Sequence, residues 1–450
     1  MTLSIVILAA GKGTRMNSQL PKVLQPLAGK PILQYVLDTS HSLQPNNISI
    51  VAGFKSEMLR DLIRDKNISW RIQENQLGTG HALMQAIPDL KSDKTLILYG
   101  DVPLIKKVDL QSLIKKSDTG LAVMTHIKND AKGYGRILRE EEKIQGIIEE
   151  KDCREEQKKI KEINTGILAA NTKYLKNWLK RLTNENAQKE YYLTDIVKFA
   201  VDDNIKVSSH EVDEEISISG VNSKKELAYI ERGLQLKKAE DLMNTGVTII
   251  DPSRIDIRGQ LKCGQDVTID VGCIFEGNVN LGNNVHIKAY SFLKDTDIDE
   301  NTVIEAYSHI DSSKVGLFCR VGPFARLRPG TVIDDEVHIG NYVEIKNSLI
   351  DKGTKINHLS YIGDSEIGKN VNIGAGTITC NYDGVDKHKT VIEDDVFVGS
   401  NTQIVAPLKI GKGATIGAGS TITKDVPKND LTLSRPQQKT ISGWVKPEKK

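Results

Sequence analysis

Several things are scarce in this chain of 450 residues, and each scarcity excludes something. No apolar run approaches the roughly 20 residues that span a bilayer; the longest, Ile5 to Ala10, lacks a basic region before it and runs straight into Gly-Lys-Gly, unlike a secretory signal. Neither sign of charge dominates: 61 basic against 59 acidic residues leave +2, with no polybasic or acidic block. Binding to nucleic acid or to an anionic membrane as the main task needs a concentrated field, which is missing. Cysteine is sparse, odd in number and without CxxC spacing (153, 263, 273, 319 and 380), which predicts free thiols in a reducing compartment. A soluble, globular, cytoplasmic protein is expected. Aromatics make up only 5%, and glycine is unevenly spread, with 22 of 36 in residues 246–450. The length suggests two or three domains, and the two parts are built differently.

The first part reads as α/β. Leu3 to Ala10, Ile48–Ala52, Thr95–Tyr99 and Leu121–Thr125 are short aliphatic runs of the kind buried in parallel sheets. Amphipathic segments at Ile32–Ser40, Glu57–Arg64 and His81–Ile87 alternate with them, predicting a doubly wound sheet with ligands at the strands' C-terminal ends. Residues 1–221 are expected to form this domain.

The first strand leads into Leu8-Ala9-Ala10-Gly11-Lys12-Gly13-Thr14-Arg15-Met16, followed by Pro21-Lys22. Glycines after a parallel strand let backbone N–H groups approach phosphate, and Lys and Arg neutralise it. A P-loop would need a glycine ahead of Gly11, and the dinucleotide fingerprint a glycine at Met16, so both are excluded. The glycines alone are equally compatible with a purely structural turn. The full string resembles the signature of sugar-1-phosphate nucleotidylyltransferases.

Downstream, Gln73 with Gly78-Thr79-Gly80-His81, then Tyr99-Gly100-Asp101, Gly135, Glu149 and Asn164 follow in the order seen in N-acetylglucosamine-1-phosphate uridylyltransferases. Individually these read as a helix cap, a Gly-Asp turn or loop residues. The resemblance implies that Leu8, Ala9, Ala10, Gly11, Gln73, Gly78, Thr79, Tyr99 and Gly100 bind UTP, with Gln73 and the Gly78 loop reading the base. It implies that Gly135, Glu149 and Asn164 touch the sugar, and that Asp101 and Asn222 hold Mg²⁺. Lys22 is expected at the α-phosphate and Arg15 on the leaving pyrophosphate. No general base is needed, because the attacking phosphate is already ionised.

Residues 222–245 are charged and helix-favouring, a predicted linker helix. Beyond them, in residues 246–450, aliphatic residues recur every six positions, as in Ile269, Phe275, Leu281, Ile287 and Leu293. Steps of five interrupt at Leu293–Ile298, Ile310–Val315, Ile345–Ile350 and Ile362–Ile367. Neither helix nor flat strand gives a period of six, whereas a triangular coil with one inward residue per side does. The pattern predicts a parallel β-helix of hexapeptide repeats, left-handed by resemblance to the hexapeptide acyltransferases, which also implies a homotrimer. The fold class expected is therefore an α/β Rossmann-like nucleotidyltransferase domain followed by a left-handed parallel β-helix.

The ladder breaks at Thr379–His388, and polar residues gather nearby. Arg328 and Lys346 stand 18 apart, one coil, as a candidate phosphate cradle. His358 lies 12 further on, on another face, with Glu344 expected to orient its ring and Tyr361 to flank the substrate. This grouping resembles glucosamine-1-phosphate N-acetyltransferase. The resemblance implies His358 as general base, Arg328, Lys346, Tyr361 and Asn372 on the sugar phosphate, and Ala375, Asn381, Tyr382, Ser400, Ala418 and Arg435 on acetyl-CoA. The tail departs from the family pattern in placing Pro436 directly after Arg435. Cys380 sits in the interrupting loop, but direct acyl transfer needs no thiol.

Both halves together resemble the bifunctional enzymes that acetylate glucosamine-1-phosphate and then uridylylate the product to UDP-N-acetylglucosamine, a precursor of peptidoglycan and lipopolysaccharide. Two rivals are a glucose-1-phosphate nucleotidylyltransferase with an idle solenoid, which needs no His358 site, and a non-catalytic scaffold, which should lack Arg15, Lys22, Asp101 and Asn222.

Overall fold

The structure, a computed structural model, describes residues 2–447 and divides into two compact units, Met1–Leu234 and Gln235–Lys450. In the first, β1 (Leu3–Ala9) is followed by two short strands, β2 (Pro26–Leu27) and β3 (Lys30–Pro31), helix α1 (Ile32–Ser42), β4 (Asn47–Ala52), α2 (Ser56–Leu62), β5 (Ile68–Ile72), α3 (Thr79–Gln85) and β6 (Lys94–Tyr99). Then come α4 (Lys107–Lys116), β7 (Gly120–Ile127), β8 (Gly135–Glu140), β9 (Lys143–Ile148), β10 (Glu162–Asn171), α5 (Thr172–Leu179), α6 (Asp195–Asp202), β11 (Lys206–Glu211), α7 (Glu215–Ile218) and α8 (Lys224–Asn244). The main sheet runs β11-β7-β10-β6-β1-β4-β5. Alternate residues of β1 enter opposite cores: Ile5 and Ile7 join one with Leu33 and Val36, Val6 and Leu8 the other with Leu83 and Trp178. Both faces are covered, which is why the strand reads as unbroken aliphatic sequence.

The sheet is not wholly parallel. β10 lies antiparallel between β6 and β7, and the β8–β9 hairpin hangs from it. The unit boundary falls within α8, which covers most of residues 222–245.

The second unit is a parallel β-helix. One face is an 11-stranded sheet in which Ile269, Ile287, Ile304, Val321, Ile339, Ile356, Ile373, Val398 and Ile416 stand in register, all buried. The other two faces share a 16-stranded sheet, because long strands such as Ile274–Leu281 run through the corner between them. Two of the 18-residue coils keep a step of six at this corner with Gly277 or Gly330 in the left-handed region, whereas the coil from Val398 to Ile416 keeps the step without a left-handed residue. Coils of 17 make the corner in five, with Asp295, Ser312, Asn347 or Asp364 left-handed instead. At a different corner Tyr290, Tyr307, Phe324 and Tyr342 stack ring on ring at 5.0–5.3 Å, exposed along the edge. The coil that joins Ile373 to Val398 is 25 residues long, and its surplus forms the loop around Tyr382–Lys387.

Candidate functional sites

In the first unit a cavity of about 350 Å³ opens at the C-terminal ends of β1, β5 and β6, where a doubly wound sheet presents ligands. Leu8, Ala9, Ala10, Gly11, Lys22, Gln73, Gly78, Thr79, Tyr99, Asp101 and Asn222 all line it. Gly100 lies between two of them and donates its N–H to the Leu8 carbonyl at 2.9 Å. Arg15 stands exposed on a short turn outside the lining. Gln76 and Glu190 also line the cavity, and sequence reading missed both. Gln76 donates to the Ala10 carbonyl at 2.9 Å and so ties down the glycine loop.

Gly13 shows why that loop needs glycine. Its φ is +61°, and an added Cβ would stand 2.7 Å from Cβ of Lys22. The close approach lets Lys22 reach inward, where Nζ lies 2.5 Å from Oδ2 of Asp101 and 3.0 Å from Oδ1 of Asn222. Two oxygens about 120 residues apart in sequence thus converge on one cation. Hard oxygen donors of this kind suit a divalent cation, so the pair fits one. Among the described residues no group of three or more His, Cys, Asp or Glu could hold a metal, and two protein oxygens leave most of a divalent ion's shell open to water or phosphate oxygens.

Gly135, Glu149 and Asn164 are brought together beside the cavity. Gly135 pairs with Asn164 in register, and a Cβ on Gly135 would lie 3.5 Å from Oε2 of Glu149. The left-handed Gly166 packs against the Tyr99 ring, linking this group to the cavity wall. Burial raises the Glu149 carboxyl above its ordinary value, against a 2.9 Å hydrogen bond donated by Thr194. Burial, reinforced by the Glu149 charge, raises the Tyr99 hydroxyl too.

In the second unit Arg328 and Lys346 occupy matching positions on neighbouring coils. Arg328 pairs with Glu344 at 2.9 Å and Lys346 with Asp364 at 3.4 Å. Burial works against ionisation of Asp364, but hydrogen bonds from Asn347 and Asn381 and the Lys346 charge outweigh it and hold its carboxyl below the usual range. Tyr361 follows Glu344 in register, and a Cβ on Gly363 would lie 2.8 Å from both Cζ of Tyr361 and Nδ2 of Asn381. Lys387, on the 25-residue coil, stands next to Lys346 and is held below its usual pKa by that second ammonium. Sequence reading missed it because the insertion breaks the period that made Arg328 and Lys346 visible.

His358 departs from expectation in one respect. Glu344 does not orient its ring: Glu344 is on the second face, engaged with Arg326 and Arg328, whereas His358 ends a strand of the first. Asn341, one coil earlier in the same sheet, takes that part, with Oδ1 2.8 Å from Nδ1 of His358. An amide oxygen only accepts, so the ring proton sits on Nδ1 and leaves the Nε2 lone pair free on an exposed imidazole. The spacing of 17, one short coil, was the available signal. Asn372 also lies on the first face, away from Arg328, Lys346 and Tyr361.

Ala375, Ser400, Ala418 and Arg435 climb one edge coil by coil. Asn401 N–H donates to Ala375 and Gly419 N–H to Ser400, and a Cβ on Gly417 would lie 3.6 Å from Nη2 of Arg435. Pro436 therefore does not keep Arg435 from the column. Asn381 is buried against Asp364, while Tyr382 projects from the loop with its hydroxyl on the Gly384 carbonyl. Burial raises the Cys380 thiol, away from the thiolate a nucleophile requires.

Residues 5–159 match the MobA-like NTP transferase domain, residues 257–340 the GMPPB C-terminal domain, and residues 389–424 six repeats of the bacterial transferase hexapeptide. A "Bifunctional protein GlmU" from Herminiimonas arsenicoxydans is 55% identical over 449 residues, 99% of each chain. Proteins of that name from Chromobacterium violaceum and Nitrosomonas eutropha are each 53% identical, over all of this chain and 99% of theirs.

Proposed function

The chain belongs to the bifunctional GlmU family, and on that premise we propose how its two sites divide the work. It is a bifunctional transferase, with uridylyl transfer in the nucleotidyltransferase domain and acetyl transfer in the hexapeptide domain. The second unit acetylates glucosamine-1-phosphate from acetyl-CoA; the first then joins N-acetylglucosamine-1-phosphate to UTP. The convergence of Lys22, Asp101 and Asn222 in a cavity at the sheet's open edge is the observation that carries the uridylyl reading.

In acetyl transfer, Nε2 of His358 takes a proton from the substrate's ammonium. The freed amine attacks the thioester carbonyl, a C–N bond forms and the C–S bond breaks. The proton shed by the attacking nitrogen goes to the departing sulfur, so that CoA leaves as the thiol, and His358 returns its proton to solvent. Arg328, Lys346 and Lys387 receive the sugar phosphate, and the Ala375–Arg435 column carries the coenzyme. In uridylyl transfer a phosphate oxygen attacks the α-phosphorus and pyrophosphate departs. Lys22 stabilises the charge that builds on the α-phosphate, and Gly135, Glu149 and Asn164 hold the sugar. The reaction class implies a divalent cation, here Mg²⁺ on Asp101 and Asn222, which supplies charge neutralisation on the phosphates when bound. Arg15, exposed on its turn outside the cavity lining, receives the leaving pyrophosphate.

The exposed aromatic edge and the division of His358 and Asn372 from Arg328 and Lys346 between two faces support a homotrimer with acetyl sites completed between subunits. Mixing the protein with glucosamine-1-phosphate and acetyl-CoA, without UTP, and following free thiol tests the acetyl half. Amino-sugar-dependent release is expected. No release, with UTP turnover on N-acetylglucosamine-1-phosphate intact, would leave a uridylyltransferase on a scaffold.

A further inference from the structure

Gln73 lines the nucleotide cavity, is 3% exposed, and has its amide gripped from behind. Its Nε2 lies 3.0 Å from the Gly78 carbonyl oxygen and 3.0 Å from Nδ1 of His81, a residue outside the cavity lining. A backbone carbonyl only accepts, so the NH₂ end must face it. The other N–H then points at His81, whose Nδ1 must accept, which sends the ring proton to Nε2. On the far side Gln85 approaches Nε2 through its amide nitrogen at 3.3 Å, a longer contact on a partly exposed helix flank. Gln85 also donates to the His81 carbonyl at 3.1 Å, and the Tyr191 ring lies tilted with its centroid 6.1 Å from the imidazole. The shorter, buried Gln73 contact sets the tautomer. With both amide protons spent, the side-chain carbonyl oxygen is the polar atom Gln73 has left to offer a ligand.

We propose that His81 is a positioning residue for base choice. By accepting from Gln73 it fixes a lone acceptor toward the base, one that pairs with a pyrimidine N3–H and repels a bare N3 lone pair. Uracil carries that proton and cytosine does not. Losing a hydrogen-bonded match at a buried group is how sites reject near-isosteric ligands. The proposal rests on the reading that Gln73 meets the base. Without the His81 acceptor only Gly78 restrains the amide, which turns more freely and presents its NH₂ to cytosine.

The test is the ratio of kcat/KM for UTP over CTP, with N-acetylglucosamine-1-phosphate as acceptor, in His81→Ala, His81→Phe, His81→Asn and Gln73→Ala. Acetyl transfer and the thermal melt of each variant serve as folding controls. The ratio is expected to fall about tenfold or more in His81→Ala and His81→Phe. It should stay near the wild-type value in His81→Asn, whose side-chain oxygen replaces the Nδ1 acceptor. If Gln73→Ala loses discrimination while both His81→Ala and His81→Phe keep it, the positioning role is overturned and the base contact stands. If Gln73→Ala itself keeps the wild-type ratio, the base-contact reading fails. A loss of discrimination in His81→Asn equal to that in His81→Phe would assign the effect to packing and overturn the proposal.

Discussion

Lys22→Ala is the most informative single substitution. The ammonium sits 2.5 Å from Asp101 and 3.0 Å from Asn222, with the two charged side chains only 14% and 13% exposed. Removing one partner of a fully buried pair costs ~3–5 kcal/mol. Because this pair borders an open cavity that admits water and cations, about 1–3 kcal/mol is expected, a fall in melting temperature of roughly 2–10 °C for a unit of this size. The unit should stay folded at 25 °C. Catalysis loses a cation at the point where charge develops, worth ~3–4 kcal/mol, so uridylyl turnover should drop by about 10²- to 10³-fold. Acetyl turnover should not change, since every residue assigned to it lies in the second unit. Pyrophosphate release and CoA thiol release, followed on one preparation, read both rates. Loss of both activities in a variant with a cooperative melt would refute the two-site division, and intact uridylyl transfer would refute the role of Lys22.

Four further outcomes are expected. His358→Ala should lower acetyl transfer by ~10²- to 10⁴-fold while leaving pyrophosphate release unchanged. Asn341→Ala should lower it less, by about tenfold, and Asn341→Asp, which keeps an acceptor oxygen on Nδ1, should restore the rate and raise the base's apparent pKa, read from the pH profile of CoA release. Glu149→Gln should weaken binding of N-acetylglucosamine-1-phosphate yet stabilise the first unit at neutral pH. Its folded pKa lies above the unfolded value, so the penalty is absent in acid and grows as pH rises through the folded pKa; melts of the two proteins from pH 4 to pH 8 should diverge upward, and parallel curves would contradict it. Ile345→Ala removes a fully buried inward residue and should cost ~2–5 kcal/mol in the second unit, visible as an early melting transition.

What could be read from the sequence was what repeats or what sits in one contiguous string. The inward isoleucines were legible because burial selects one aliphatic residue per side, and each five-residue step proved to be a tighter corner. Leu8–Lys22 was legible because one contiguous stretch carries Gly11 and Lys22, both of which line the cavity. Contacts that depend on which coil lies over which were not. Glu344 and His358 are 14 apart and looked like partners, but a coil of 17 puts Asn341 under the histidine and turns Glu344 round the corner to the arginines. The direction of β10 was equally hidden, since a buried strand has the same composition whichever way it runs. Lys387 escaped because an insertion has no period to betray its neighbours.

The 25-residue coil has a consequence for how such a protein changes over generations. Ile373 and Val398 meet in the same register as any other pair of adjacent rungs, so the wall closes beneath the loop as though nothing had been added. The segment around Tyr382–Lys387 can therefore lengthen or shorten at its tip without shifting the register of the rungs, while Asn381 and Lys387 stay tied to Asp364 and Lys346 on the neighbouring coil. A lineage can thus edit the exposed tip of the loop, Asp383 to Asp386, and inherit the register of the rungs unaltered.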